Sequence, residues 1–311
     1  MSILQNVCRN ALIGLKARSA SVVASVSRRT SRPSRNVVVV RTKDPSNLCD
    51  WGFGSGDWDL LVLDYSTTQD LQPPCTRVIR QPSRDLRKFD GIYEAVPLDW
   101  DYYLLIDDDL QLVCGTIDDA FRRAAEEKFW ICQPSLSLDS FASWWMTLNS
   151  KSFAFREVEF VEIMAPLLSR DAFLTARPHF PRLPIGYGLD VWWSRQAASR
   201  GKRLGILDTV VFRHGRAPGT GDIYQGSGKE QAERAMMKFL KEQQLEFEVG
   251  HGLLGGKLVS GSSDYRDVAV AALSDLLSQS GGLKVLPACA PVVEQILRKL
   301  QERPGRVKPL G

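Results

Sequence analysis

A chain of 311 residues with 44% hydrophobic, 9% aromatic and 24% charged side chains can bury a sizeable core without help from a disulfide or a structural metal. Its composition excludes the collagen-like, disordered and disulfide-dense classes, and no run of about 18 apolar residues occurs that would cross a membrane as a helix. The net charge of +4 belongs to the N-terminus: residues 1–43 hold nine Lys and Arg and no acid, so the other 31 basic residues face 36 Asp and Glu. A body with that balance lacks the basic stripe of a nucleic-acid binder, and no nucleic-acid partner is expected.

Residues 1–35, rich in Ser and Arg, read as a disordered basic arm. It is either an organelle transit segment or a solvated tail able to touch a membrane surface peripherally, on a chain otherwise expected to be soluble, cytoplasmic or organellar. Asn36–Thr42, with four consecutive valines, reads as a buried strand; Asp57–Tyr65 is a second and Arg77–Gln81 a weak third. Pro73-Pro74 and Gln81-Pro82-Ser83 mark loops, and Lys88–Val96 is a short helix or strand. Asp101–Ile106 is the strongest strand and runs straight into Asp107-Asp108-Asp109. Ile117–Lys128 has amphipathic helical spacing opened by two acids, Phe129–Gln133 is a strand, Asp190–Ser199 a helix, and Leu204–Phe212 a strand ending at Arg213-His214. Gly215–Gly228 reads as a loop, followed by a charged helix to about residue 245. Strands alternating with helices argue for α/β layering. The division expected is an arm (1–35), a catalytic-type domain (36–248), a Gly/Ser-rich linker (249–263, with five glycines and three serines between 250 and 263) and a small helical C-terminal extension (264–311).

Three carboxylates at the end of an apolar strand sit where open α/β folds build ligand sites. Continued strand geometry would point Asp107 and Asp109 to one side and Asp108 to the other. Two like charges on one side call for a cation or a shared proton, and oxygen ligands favour Mg²⁺ or Mn²⁺; an exposed acidic turn capping the next helix is the plain alternative. In Gly186-Tyr187-Gly188-Leu189-Asp190, the two glycines permit close backbone approach to a ligand, and Asp190 is either a proton acceptor for a hydroxyl or only a helix cap. His214, following a strand, is either a ligand sharing the edge with Asp109 or a structural side chain; Arg213 and Arg216 flank it. Glu162 interrupts the apolar run Phe160–Ala165 and needs a partner, either Arg156, Arg170 or a bound sugar hydroxyl, unless it faces water on an edge strand. Six cysteines without a C-x-x-C pair, and three histidines, offer no structural zinc site.

A strand into Asp-x-Asp, a later Gly-x-Gly-x-Asp and a histidine after a further strand resemble the GT-A glycosyltransferase superfamily. Residues 36–225, above all Phe160-Val161-Glu162-Ile163-Met164-Ala165-Pro166 and Gly186–Asp190, resemble a bacterial and plant family often labelled lysine ketoglutarate reductase trans-splicing related. That label finds no support here, since no Gly-x-Gly-x-x-Gly loop follows the first strand. The resemblance implies a Rossmann-type three-layer α/β fold with a mixed central sheet. It implies Mn²⁺ or Mg²⁺ held by Asp107, Asp109 and His214, and a nucleotide-sugar donor contacted by Asp107, Asp108, Gly186, Gly188, Glu162 and Arg156. Asp190 would activate a glycan or other hydroxyl acceptor. The alternatives are a silent glycan- or nucleotide-binding module on the same fold and a Mg²⁺-dependent phosphohydrolase, whose nucleophile strand Leu104-Leu105-Ile106-Asp107 also resembles.

Overall fold

The structure, a computed structural model, describes residues 35–43, 48, 51–52, 56–65, 77–80, 87–217, 228–279, 293–298 and 300–301. The expected basic arm up to residue 34, the loops at 73–74 and 81–83, and the loop between 218 and 227 lie outside these residues.

Ten strands form one mixed sheet. They are β1 (Asn36–Thr42), β2 (Asp59–Asp64), β3 (Arg77–Arg80), β4 (Tyr102–Asp107), β5 (Leu110–Cys114), β6 (Ile131–Leu136), β7 (Phe153–Val158), β8 (Leu167–Ser169), β9 (Leu204–His214) and β10 (Leu253–Leu258). The helices are α1 (Lys88–Ala95), α2 (Ile117–Glu126), α3 (Arg170–Ala176), α4 (Leu189–Ser199), α5 (Gly228–Glu242) and α6 (Tyr265–Gln279), with a 3₁₀ turn at Arg177–Arg182. The order across the sheet is β10-β7-β9-β6-β8-β4-β1-β2-β3, and β5 pairs with β9. β1, β2, β3 and β4 are mutually parallel, as are β6 and β9, whereas β8 is antiparallel to both β4 and β6. All six of these parallel-running strands therefore end on one edge, which collects Thr42, Asp64, Asp107, Leu136 and His214.

Period-two side-chain alternation splits the strands between two cores. Val37, Val39, Tyr103 and Leu105 face the cluster under α1, α3, α4 and α5; Val38, Val40, Leu104 and Ile106 face the cluster under α2. This is the expected three-layer α/β arrangement. The start of α2 is fixed by Thr116, whose Oγ1 accepts from the Asp119 amide at 3.0 Å, with Asp118 and Asp119 in the first turn. Among the described residues no helix is long and apolar enough to cross a membrane.

Two expectations change. The Gly/Ser-rich stretch at 249–263 is not a linker throughout: β10 forms inside it and pairs antiparallel with β7, because a strand needs backbone N–H and C=O groups from its neighbour, which glycines supply as well as other residues. α6 then packs on Phe153 and Leu253 through Val268, Ala269 and Ala272, so the helical extension shares a core with the sheet, and the described residues belong to one compact unit. The run Phe160–Ala165 is no edge strand either; it is irregular, and Glu162 is buried.

Candidate functional site

The acidic corner forms where β4 stops. Strand geometry ends at Asp107, and Asp108-Asp109 turn the chain into β5, so the alternation expected for three acids in one strand is broken. Asp107 goes to Lys88 at the start of α1, Oδ1 accepting from Nζ at 2.9 Å. The same ammonium donates to the carbonyls of Ile163 and Met164 at 3.0 and 3.3 Å, which fills all three of its N–H groups. Asp108 accepts from Thr42, and burial, against that bond, pushes its carboxyl up to about 6.

Asp109 turns the other way, toward β9. β5 pairs with β9 in a register that sets Leu110 opposite His214, and the preceding turn brings Asp109 Oδ2 to 3.3 Å from His214 Nε2. His214 Nδ1 lies 2.7 Å from the Phe141 carbonyl; a carbonyl only accepts, so Nδ1 carries the proton and Nε2 faces Asp109. Metal-ligating histidines are held this way, one ring nitrogen tied to a carbonyl and the other free to bind. The backbone repeats the clamp, Phe141 N donating to His214 O at 3.0 Å and His214 N to Ser140 Oγ at 3.1 Å. Burial alone would raise Asp109 and lower His214. The bond between them, with Arg216 Nε 3.5 Å from Asp109 Oδ2, reverses both directions: Asp109 is held below its ordinary value and His214 above it.

Asp109 Oδ1 is buried without a hydrogen-bond partner. A buried unsatisfied oxygen costs about 1–3 kcal/mol, and a cation would fill it. Mg²⁺-type ions are bound through one or two protein groups plus substrate phosphates, so the Asp109–His214 pair fits such an ion. Among the described residues no three His, Cys, Asp or Glu converge as a full ligand set. The expected triad is corrected accordingly: Asp107 is committed to Lys88.

Three further expectations are corrected. Arg156 does not reach a diphosphate or Glu162; it lies on β7 and grips Asp208 of β9 through two bonds of 2.8 and 2.9 Å, both side chains buried. Gly186 (φ 100°) is required by packing rather than by a ligand, since a Cβ there would lie 2.3 Å from the Phe89 ring. Gly188 (φ 91°) faces Met236 at 2.9 Å and forms the N-cap of α4. These glycines serve packing and the turn.

Asp190 is the second residue of α4 rather than its cap. α4 leads into the start of β9, so its N-terminus lies at the edge where β9 ends. The Asp190 carboxyl folds back onto the helix amides, with Val191 N at 2.9 Å; burial, against those bonds, raises it to about 6. Glu162 is 4% exposed, and burial together with the Asp190 charge pushes it up to about 7. Its Oε1 is the second orphaned carboxyl oxygen of this region.

Sequence reading missed Lys88, and it found Gln133 only as a polar side chain after a strand, not as the partner of the Glu162 amide. The signal available for Gln133 was a polar residue in β6, all six of whose residues are buried; for Lys88 it was a lysine opening a short helix beside the apolar Phe89.

No protein-family model matches the chain, and no curated protein does. Among solved structures it is similar to the crystal structure of GalNAc-T7 with UDP, GalNAc and Mn²⁺, at 10% identity and a TM-score of 0.43. The likeness covers 70% of this chain and 55% of that one, so the chain matches little more than half of that protein.

Proposed function

We propose that the chain is a metal-assisted, GT-A-like glycosyltransferase moving a sugar from a nucleotide-sugar donor to a hydroxyl acceptor. The observation that carries this reading is the Asp109–His214 pair, a carboxylate with one unfilled oxygen facing an imidazole whose other nitrogen is tied to a carbonyl. It stands at the strand-end edge where α/β folds bind ligands. Asp109 and His214 would hold Mn²⁺ or Mg²⁺, and a bound ion supplies positive charge to the departing diphosphate. Arg216 adds a cation beside Asp109 Oδ2, the oxygen that faces His214. Asp190, its carboxylate steadied by helix amides, accepts the acceptor's hydroxyl proton. As it does so the acceptor oxygen bonds to the sugar carbon, and the carbon–phosphate-oxygen bond breaks with its electron pair leaving on the diphosphate. Asp108, on the same turn and bonded to Thr42, would contact the nucleotide.

A silent nucleotide- or glycan-binding module is the second reading. It is favoured by the Asp190 carboxyl already being occupied by its own helix. Thermal unfolding with nucleoside diphosphates, with and without Mn²⁺, tests both. Asp109→Ala is expected to abolish Mn²⁺-dependent protection, and unchanged protection would remove the pair from the reading. Asp190→Asn is expected to keep the protection while slowing transfer ~10²–10⁴-fold, the usual worth of a general base; protection with no transfer in any chain selects the silent module.

A further inference from the structure

The cation pair leaves one cleft of the molecule unused. It lies between the turn at 183–187 and the first two turns of α5, opens to solvent and encloses about 100 Å³. An apolar cavity of about 150 Å³ takes up a benzene ring, so the cleft has room for a small ring or a branched alkyl group. Leu183, Pro184 and Ile185 form one wall and Ala232 and Ala235 the other; among the described residues that line it, Arg87 alone is charged. The first wall is held in place, Phe89 N donating to Pro184 O at 3.0 Å and Gly186 N to Leu183 O at 2.8 Å. The second leaves space because Ala232 and Ala235 stop at Cβ. Further along α5, Met236 closes on Gly188, and Phe239 and Leu240 enter the core.

Both walls run directly into the acids of the sheet edge. Arg87 is followed by Lys88, whose ammonium holds Asp107 at 2.9 Å. Tyr187, also in the lining, is followed by Gly188, whose amide is one of those bonded by the Asp190 carboxyl. Asp190 itself is half-buried rather than enclosed. Neither Asp109 nor His214 lines the cleft, so it adjoins the proton acceptor and not the cation pair.

We propose that this cleft binds the acceptor, which is accordingly an alcohol carrying an apolar alkyl or aryl group rather than a wholly polar sugar. The apolar group lies between Ile185 and Ala235. The hydroxyl at its other end gives its proton to Asp190 while its oxygen bonds to the sugar carbon and the diphosphate leaves with the electron pair. This rests on the transferase reading above and deepens it by naming the acceptor class.

Binding to the full chain is followed by saturation-transfer NMR, with benzyl alcohol and isoamyl alcohol as probes and glycerol as the polar control. Each buried methylene is worth about fourfold in affinity, so both probes are expected to bind roughly tenfold more tightly than glycerol, or better. Ala235→Phe fills the cleft from α5 and is expected to remove that advantage, while Mn²⁺-dependent thermal protection by UDP or GDP is kept. Should Ala235→Phe not fold, Ala232→Leu fills the cleft from the preceding turn. With Mn²⁺ and diphosphate bound, the ion is expected to broaden the carbinol CH₂ signal of each probe more than its ring or methyl signals, because the hydroxyl end faces the reaction. Equal binding of probes and glycerol, or undiminished binding in a folded filled variant, overturns the proposal. So does broadening that is absent, or strongest at the apolar end, while the diphosphate protects wild type. Cleft-dependent probe binding without any Mn²⁺-dependent diphosphate protection fails the transferase reading itself, and the acceptor assignment falls with it, leaving an apolar site with no reaction attached.

Discussion

Glu162 is where the fold accepts a cost in stability, and that cost has a pH signature. An ordinary glutamate titrates near 4.5, whereas this one is raised to about 7 by burial and by the charge of Asp190. Between those two values the unfolded chain has released the proton and the folded chain has kept it, so rising pH favours unfolding across that window. A displacement of this size corresponds to roughly 3 kcal/mol once both limits are passed. Glu162→Gln should therefore gain on wild type, in denaturant-unfolding free energy, by about 2–3 kcal/mol between pH 4.5 and pH 8. A constant difference across that range would mean that Glu162 titrates as an exposed acid. At this scale the sequence was informative where an acid or an imidazole ended or interrupted an apolar run, as at Asp109, His214 and Glu162, or opened a helix, as at Asp190: all four come to the region of one sheet edge. It was uninformative about pairing. Asp107 and Asp109 are two residues apart, yet one answers to Lys88 from α1 and the other to His214 from β9, because a turn rather than a strand separates them.

β9 is the element on which the site depends, since it carries Asp208 in its middle and His214 at its end, and it pairs with β5, β6 and β7. The Arg156–Asp208 bridge fastens it to β7, and Asp208 also accepts from the Ser150 amide at 2.9 Å. Arg156 further donates to the Leu148 carbonyl at 2.6 Å. Removing one partner of such a buried pair leaves an uncompensated charge and costs about 3–5 kcal/mol. Arg156→Met is expected to lower the unfolding free energy by that amount, and the double variant Arg156→Met, Asp208→Leu to recover much of it. Equal destabilisation in the single and double variants would show that the bonds to Ser150 and Leu148, not the charge pair, dominate. The strands that sequence patterning found were the apolar ones, β1, β2, β4, β6 and β9, with β3 as a weak signal. Those it missed, β5, β7, β8 and β10, are short, or polar in places, or rich in glycine. Their conformation comes from partners far away in the chain, as β7 shows: Arg156 and Glu157 interrupt its apolar pattern, yet all six of its residues are buried by β9, β10 and the ion pairs they make.

At the scale of the whole molecule, the C-terminal portion closes the sheet rather than trailing from it. β10 covers the outer edge of β7, and α6 and the helix at 293–298 bury Phe153, Leu253, Val268 and Ile296 in a third core. Asp275 of α6 accepts from the hydroxyls of Ser150 and Ser152, and Ser150 in turn holds Asp208. The extension thus braces the ion pair that fastens β9, and through β9 the His214 end of the site. A chain ending at residue 248 would expose β7 as a long edge strand whose residues are otherwise all buried, and such an edge pairs with other chains. The truncated protein is expected to unfold at a markedly lower denaturant concentration and to associate with concentration by light scattering. It is also expected to lose part of the Mn²⁺-dependent protection by nucleoside diphosphates that the proposed function expects of the full chain. If instead residues 1–248 remain monomeric with the midpoint and the ligand response of the full chain, the third core contributes nothing to the sheet and the extension is an independent appendage. The pairing of β10 with β7 along five registered residue pairs argues for the first outcome, because those backbone groups have no other partner once the strand is gone and the apolar side chains beneath α6 would meet water.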